Sequence, residues 1–121
     1  MRMMRWVGAA KKALEGLPKA VRREVADLLL IVACGKSPVY ERLLKGFGSS
    51  KVSELRVDNQ GNTYRVVLLL EIDGLLYVVD VFAKKSHRGG EVPKEINDRV
   101  WKRIRAIRAE HEKEGRKHGK R

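Results

Sequence analysis

The sequence predicts an α+β fold in which a small, mostly antiparallel sheet of about four strands carries its helices on one face. The first observation behind this prediction is the run from Asn62 to Ser86, where β-forming residues continue on both sides of Asp73-Gly74. An Asp-Gly pair between two such runs is typical of a two-residue hairpin turn. The second observation is the helical spacing of apolar residues before and after this hairpin. Such amphipathic helices favour packing on the apolar face of the sheet.

Glycine and proline divide the segment before the hairpin. Residues 4–8 are predicted to form a short first strand, and Ala9–Glu15 a helical turn that stops at Gly16. Pro18 suits the first position of a second helix, because its missing N–H would have no partner there, and Gly35 supplies a stop. The apolar stripe of this second helix consists of Val21, Val25, Leu28, Leu29 and Val32.

Three further elements complete the predicted fold. Lys36–Ser53 is a connection that contains one helical turn, and the alternation in Glu54–Asp58 predicts a strand with one buried face. Pro93 can open a last helix. The apolar stripe of this helix consists of Ile96, Val100, Ile104 and Ile107. We therefore expect a single domain over residues 1–114 and a basic, disordered tail over residues 115–121.

The register of the hairpin follows if its turn closes at Asp73-Gly74. The apolar face is then made by the pairs Ile72–Leu75, Leu70–Tyr77, Leu68–Val79, Val66–Val81 and Tyr64–Ala83. The other face is made by the pairs Arg65–Phe82, Val67–Asp80, Leu69–Val78, Glu71–Leu76 and Thr63–Lys84. The alternation of the preceding strand places Arg56 on this second face as well. We expect that face to be an open surface, where two cations beside an aromatic ring suit a phosphate chain and a base.

The net charge limits the classes of partner. With 27 Lys and Arg against 15 Asp and Glu, the chain has a formal charge of +12. A field of this sign attracts polyanions, so nucleic acid is the leading candidate, followed by an acidic protein. Charge alone also admits a basic ribosomal or membrane-surface protein.

Three features indicate a soluble protein of the cytoplasm. Cys34 is the only cysteine, which excludes an internal disulfide and fits a reducing compartment. The apolar run Leu28–Cys34 is too short to span a bilayer. The N-terminal residues lack the apolar segment of a signal peptide.

Five short motifs together give the chain a family resemblance. They are Leu17-Pro18-Lys19, Leu43 to Gly48, Glu54-Leu55-Arg56, Thr63-Tyr64-Arg65 and Phe82 to Ser86. In this order and spacing they closely resemble the HigB-like, phage-derived branch of the RelE/ParE toxin superfamily. The resemblance extends from Trp6 to Arg108.

The resemblance implies the toxin of a type II toxin–antitoxin system, with a curved, RelE-like sheet. Most HigB-like members are ribosome-dependent endoribonucleases that cut mRNA without a metal ion, so no cofactor is expected. In this chemistry the ribose 2′-OH attacks the adjacent phosphate and leaves a 2′,3′-cyclic phosphate and a 5′-OH. The implied partners are a helix-turn-helix antitoxin, the ribosome and its mRNA.

The candidate catalytic residues are Arg56, Arg65, Lys84 and His87. A guanidinium is always charged and binds a phosphate through two parallel hydrogen bonds. His87 is the candidate for proton transfer, because an imidazole titrates near neutral pH. The candidate RNA-binding residues are Lys45, Phe82, Lys85 and Arg88, of which Phe82 could stack on a base.

The chain departs from the superfamily at the positions used for proton transfer. Many RelE-type enzymes use lysines or a late tyrosine, whereas here Glu54 stands close before Arg56 and no tyrosine follows Tyr77. Two alternatives therefore stay open. One is a member that binds RNA or an antitoxin without cleaving, and the other is a gyrase-poisoning toxin of the ParE branch.

The candidate residues also have ordinary structural explanations. The arginines could pair with Glu54, Glu71 or Asp80 on the sheet. The lysines could only protect a strand end. His87 could be an ordinary loop residue.

Overall fold

The structure is a computed structural model that describes residues 1–39, 41–72, 74–84 and 93–119. Five strands and three helices follow one another in this part of the chain. They are β1 (Met3–Trp6), α1 (Ala10–Glu15), α2 (Lys19–Ala33), β2 (Glu41–Leu43), β3 (Lys51–Asn59), β4 (Asn62–Ile72), β5 (Leu75–Lys84) and α3 (Lys94–Gly119).

The strands form one open, mixed sheet in the order β1-β5-β4-β3-β2. β1 runs parallel to β5, and the other neighbouring pairs are antiparallel. The prediction of an α+β fold with a mostly antiparallel sheet is therefore confirmed. The strand count differs slightly, since the described residues form five strands.

The additional strand is β2, in the segment for which the sequence predicts a helical turn. Arg42 pairs with Glu54 of β3, and Leu43 pairs with Ser53. Three residues are too few to show an alternating pattern, and pairing with a neighbouring strand decides their conformation. The prediction of a helical turn at this position is wrong.

The first two helices have bounds close to the predicted ones. α1 ends at Gly16, whose N–H lies 3.2 Å from the carbonyl oxygen of Lys12. Pro18 immediately precedes α2, one position earlier than predicted, and its carbonyl accepts the N–H of Arg22 at 3.0 Å. After α2, Gly35 has a φ of 86°, in the left-handed region that favours glycine at a helix end.

α1 and α2 share one hydrophobic core with the sheet. The predicted stripe of α2 is buried at Val21, Val25, Leu28, Leu29 and Val32. The two central strands contribute Leu55, Val57, Tyr64, Val66 and Leu68. Burial of each such side chain contributes about 1.5–3 kcal/mol. The core therefore occupies one face of β3 and β4, and the opposite face points away from α1 and α2.

The β4–β5 hairpin keeps the predicted register near both ends and loses it in the middle. The pairs that match the prediction are Thr63–Lys84, Tyr64–Ala83, Arg65–Phe82, Val66–Val81, Val67–Asp80 and Ile72–Leu75. The pairs that differ are Leu68–Val78 and Leu69–Tyr77, each one residue away from its predicted partner. Register shifts lie on both sides of these two pairs, so a β-bulge on one strand is offset by an irregularity on the other.

The register shift changes which side chains reach the core. Leu76 and Val78 belong to the core, although the predicted register places them on the opposite face. Tyr77 pairs with Leu69 and so lies on the face of Arg65, although it was predicted on the apolar face. The prediction is wrong for these residues because one extra residue in a strand moves the side chains that follow it to the opposite face of the sheet.

A two-residue turn joins β3 to β4. Between β3 and β4, Asn59 pairs with Asn62, and the intervening Gln60 and Gly61 have φ values of 48° and 80°. Two consecutive positive φ angles are typical of a type I′ turn. Between β4 and β5, Gly74 has a φ of 71°, whereas Asp73 lies outside the described residues.

The chain divides into two compact units, Met1–Gly90 and Glu91–Arg121. In the second unit α3 begins directly after Pro93, as predicted. The residues of its predicted apolar stripe that are buried are Val100, Ile104 and Ile107. The guanidinium of Arg105 lies 5.5 Å from the centre of the Trp101 ring.

The sequence led us to expect one domain over residues 1–114 and a disordered tail after it. In the structure α3 continues to Gly119, so the backbone of residues 115–119 is helical. Residues 120–121 lie outside the described part of the chain. None of the described helices combines the length and the apolar character that a membrane span requires.

Candidate nucleic-acid interface

Three predicted site residues lie side by side across the sheet. Arg56 of β3 pairs with Arg65 of β4, and Arg65 pairs with Phe82 of β5. We call these three residues the central row. Opposed residues of antiparallel strands share one face, so these side chains leave the sheet on the side away from the α1–α2 core. The predicted grouping of the two arginines and the aromatic ring is therefore present.

Two further rows flank the central row on the same face. On one side Thr63 pairs with Asp58 and with Lys84, so the predicted catalytic lysine lies next to Phe82 along β5. On the other side Val67 pairs with Glu54 and with Asp80. The face thus carries both signs of charge, and Glu54 and Asp58 add to the acidic residues that the predicted register places there.

The expectation of an open surface is wrong for most of this face. Arg65 is 6% exposed and Phe82 8%, while Arg56 is exposed. The sequence could not show this, because alternation predicts which face a residue shares but not what the rest of the chain does with that face. Glu54 and Asp80 are buried as well.

A buried carboxylate balances the charge of Arg65. Oε1 of Glu54 accepts hydrogen bonds from Nη1 of Arg65 and, at 3.1 Å, from Nη2 of Arg42 on β2. Glu54 is only 2% exposed, and a buried charge is tolerated when it is paired and hydrogen-bonded. Two arginines around one carboxylate leave this cluster with a formal charge of +1. It can therefore still attract an anion.

Two buried atoms of this cluster have no hydrogen-bond partner among the described residues. They are Oε2 of Glu54 and Nε of Arg65. A buried polar atom without a partner costs about 1–3 kcal/mol, so such atoms are uncommon. Nε of Arg65 is a donor that a phosphate oxygen would satisfy.

Arg56 has its own carboxylate partner. Its Nε and Nη2 lie 3.2 Å from Oδ1 and Oδ2 of Asp58, which is the two-point geometry of a guanidinium–carboxylate pair. The hydroxyl of Thr63 donates to Oδ1 of Asp58 at 2.8 Å. These hydrogen bonds, from Thr63 first and Arg56 second, hold the pKa of Asp58 below its ordinary value. Asp58 therefore stays ionised near neutral pH and keeps Arg56 in place.

The remaining predicted residues lie outside the rows. Lys45 is exposed in the connection between β2 and β3. His87, Lys85 and Arg88 fall outside the described residues, so their predicted roles stay predictions. No group of three or more potential metal ligands occurs in the part of the chain that the structure describes.

The sequence named Glu54 as a possible partner of the arginines, and the structure confirms this pairing for Arg65, whereas sequence reasoning missed Arg42. Glu54 stands two residues before Arg56 and therefore on the same face of β3, a signal that alternation supplies. Arg42 could not have been found in this way, because its segment was predicted to be a helical turn. Only the pairing of β2 with β3 brings Arg42 opposite Glu54.

Comparisons with known proteins agree with this fold. The chain matches the family described as phage-derived protein Gp49-like (DUF891) over residues 12–105. None of the curated proteins compared with it matches. Among solved structures, the crystal structure of the isolated E. coli RelE toxin is similar, with a TM-score of 0.55 and 20% identity over 86% of this chain and 99% of that chain. At this identity the likeness establishes the fold. The Gp49-like family is known as a RelE/HigB-type toxin family, so the resemblance noted in the sequence is confirmed and the chain belongs to this family of toxins.

Proposed function

We propose that the protein is the toxin of a type II toxin–antitoxin system and cleaves mRNA on the ribosome without a metal ion. The observation that carries the proposal is the central row, in which the buried Nε of Arg65 has no acceptor among the described residues. In a guanidinium, Nη1 and the Nε–H bond point in different directions, so binding of Nη1 to Glu54 leaves the Nε side for a phosphate oxygen. Membership of the toxin family supports the toxin role.

The proposed reaction is an in-line displacement at phosphorus. The ribose 2′-oxygen forms a bond to phosphorus while the bond from phosphorus to the 5′-oxygen breaks, which gives a 2′,3′-cyclic phosphate and a 5′-OH. Arg65 and Arg56 would stabilise the negative charge on the phosphoryl oxygens, because fixed donors act on charge without reorganising. His87 is our candidate to take the proton of the 2′-OH, and Lys84 to supply one to the leaving oxygen.

Access to the site requires a rearrangement. Arg65 and Phe82 are buried, so a nucleotide reaches them only after the residues around them move. Arg56 is exposed and can meet a phosphate first. We therefore propose that Phe82 stacks on a base only when the residues around it make room.

The proposed partners follow from the charge and the family. A formal charge of +12 favours the ribosome and its mRNA, and also the acidic surface of an antitoxin that shields the site. We propose that the antitoxin carries a helix-turn-helix and that the protein acts in the cytoplasm.

One observation favours a second candidate function, a member of the fold that binds RNA or an antitoxin without cleaving. Arg65 is both buried and engaged by Glu54, and a cation in this state contributes to catalysis only if the site opens. The two candidates differ in whether a bound message is cut.

Translation-coupled cleavage separates the candidates. The purified protein is mixed with translating ribosomes, and the 5′ ends of the message are mapped. Cuts at codon positions support the proposed function, whereas an intact message on ribosomes that retain the protein supports the second candidate. A supercoiling defect without RNA breaks would instead indicate a gyrase-poisoning toxin.

A matched pair of variants assigns the cleavage to the central row. Arg65→Gln removes the proposed phosphate ligand, and Arg23→Gln removes the same charge from the exposed surface of α2. We expect the first variant to lose cleavage and growth arrest and the second to retain both. Cleavage by Arg65→Gln at the rate of the unaltered protein would remove Arg65 from the mechanism.

A further inference from the structure

Three charged residues form a chain across neighbouring strands at the edge of the sheet. Arg42 of β2 lies directly opposite Glu54 of β3, while Arg65 of β4 is a diagonal neighbour of Glu54. Both arginines donate to the same oxygen, Oε1 of Glu54. An edge strand is thereby connected to the central row by hydrogen bonds rather than by packing alone.

The sharing of one oxygen is unusual for a buried carboxylate beside an arginine. A guanidinium and a carboxylate tend to make two parallel hydrogen bonds, because this arrangement satisfies two donors and both oxygens. Here Glu54 instead makes one bond to each arginine, and both its Oε2 and Nε of Arg65 have no partner in the described part of the chain. Something must hold the carboxylate away from the second donor.

We propose that Arg42 is a positioning residue that draws Glu54 to the Nη1 side of Arg65 and so keeps the Nε side of Arg65 available to a phosphate group of RNA. The proposal rests on the proposed function in one respect, that Arg65 binds a phosphate. Arg42 acts here through Glu54, without touching the RNA.

Exposure makes this division of roles physically reasonable. The side chain of Arg42 is 52% exposed, whereas those of Arg65 and Glu54 are 7% and 2% exposed. Arg42 can supply its hydrogen bond from the solvent side without the cost of burying a second full charge. Without Arg42, Glu54 could move to the Nε and Nη2 edge of Arg65, where a two-point pair would satisfy both Nε and Oε2 and close over Nε.

The first test needs no ligand. In the full chain with ¹⁵N-labelled arginine, the Nε–Hε resonance of Arg65 is compared between the unaltered protein, Arg42→Met and Arg42→Lys. We expect Arg42→Met to move the resonance downfield, because Nε gains Glu54 as an acceptor. Arg42→Lys keeps a cation beside Oε1 and should leave the resonance in place. An unchanged resonance in Arg42→Met would overturn the proposal.

The second test excludes a direct contact of Arg42 with RNA. Binding of a single-stranded 2′-O-methyl RNA oligonucleotide, which cannot be cleaved, is measured for Arg42→Met, Glu54→Gln and the double variant. We expect Arg42→Met to weaken binding about 10-fold when Glu54 is present, the loss of one charge-assisted hydrogen bond, and less than about 2-fold in the Glu54→Gln background. Arg42→Lys should bind within about 2-fold of the unaltered protein.

The outcomes of the two tests separate the positioning role from the proposed function. An equal loss in both backgrounds would mean that Arg42 contacts the RNA itself, and no loss in either would mean that it has no role. If Glu54→Gln does not fold, two measurements still test the positioning role of Arg42. They are the Nε–Hε resonance of Arg65 in Arg42→Met and the RNA binding of Arg42→Lys. If the unaltered protein does not bind RNA, the proposed function fails, and the resonance alone decides whether Arg42 positions Glu54.

Discussion

Arg56 of β3 lies directly opposite Arg65 of β4, so two guanidinium groups occupy one cross-strand pair. Like charges in this arrangement destabilise a sheet. Each arginine here has its own carboxylate, Asp58 for Arg56 and Glu54 for Arg65. The carboxylates allow two cations to stand side by side before any phosphate arrives. Fixed cations of this kind can stabilise negative charge on a phosphoryl group.

Glu54→Ala tests the buried partner of Arg65. Removal of one member of a buried ion pair leaves an uncompensated charge and typically costs about 3–5 kcal/mol. We expect a loss of this size in the free energy of unfolding, measured by urea denaturation. Asp27→Ala removes the same charge from the exposed surface of α2 and should change stability by less than about 0.5 kcal/mol. Equal effects of the two variants would contradict the pairing.

Arg65→Lys tests the geometry of the phosphate contact rather than its charge. Lysine keeps the positive charge beside Glu54 but cannot offer two parallel donors. We expect the rate of mRNA cleavage to fall about 100-fold, as on removal of one donor to a developing oxyanion. The measurement is a time course of cleavage on translating ribosomes, with the midpoint of unfolding as a control for folding. A rate close to that of the unaltered protein would show that charge alone is sufficient.

Asp58 gives the exposed pair a pH dependence. Its pKa is lower in the folded protein than its ordinary value, mainly because of the hydrogen bond from Thr63 and then that from Arg56. The stability that this carboxylate contributes is therefore complete above the ordinary pKa of an aspartate. It is lost as the pH falls through the lower pKa of the folded state.

Two variants test the lowered pKa of Asp58 and the loss of stability that we expect at low pH. When the pH is lowered from neutral to acid, the free energy of unfolding should fall less in Asp58→Asn than in the unaltered protein. Thr63→Val should raise the pKa of Asp58, followed by the carboxyl ¹³C resonance during an acid titration. An unchanged pKa in Thr63→Val would contradict the role of the hydroxyl as the largest cause.

Gly61→Ala tests the turn that sets the register of β3 against β4. Gly61 has a φ of 80°, which an alanine adopts only with strain, so we expect a loss of about 1 kcal/mol in the free energy of unfolding. Gly16 at the end of α1 has a φ of −82°, and a Cβ there meets nothing closer than 3.6 Å. Gly16→Ala should therefore change stability by less than about 0.5 kcal/mol. A neutral Gly61→Ala would contradict the turn conformation.

Part of the fold and of the site could be predicted from local sequence signals. The two-residue turns and the alternation of β3 and β4 place Arg56, Arg65 and Phe82 in one row, because side chains alternate strictly along a strand. The bulge in β5 could not be predicted. Leu68 and Leu69 are both buried, so neither face of β4 carries a polar pattern that would fix the register there.

The charge arrangement of the site depends on tertiary structure. Burial of Arg65 and Glu54 results from the assembled chain and leaves no signature in the alternating pattern. Arg42 reaches Glu54 only because β2 is a strand, whose three residues are too few for a pattern. The residue types at the site and Glu54 as a possible partner of the arginines could therefore be predicted from the sequence, while the contact of Arg42 and the burial of the site could not.

Chemical analysis of the cleaved message tests the central claim most directly. A defined mRNA is cut on the ribosome, and the same message is prepared with a single 2′-deoxyribose on the 5′ side of the mapped cut. We predict that the unmodified message yields a 2′,3′-cyclic phosphate and a 5′-OH, and that the substituted message stays intact at that position. Cleavage of the substituted message, or a 5′-phosphate at the new end, would contradict attack by the 2′-OH over the cations of the central row.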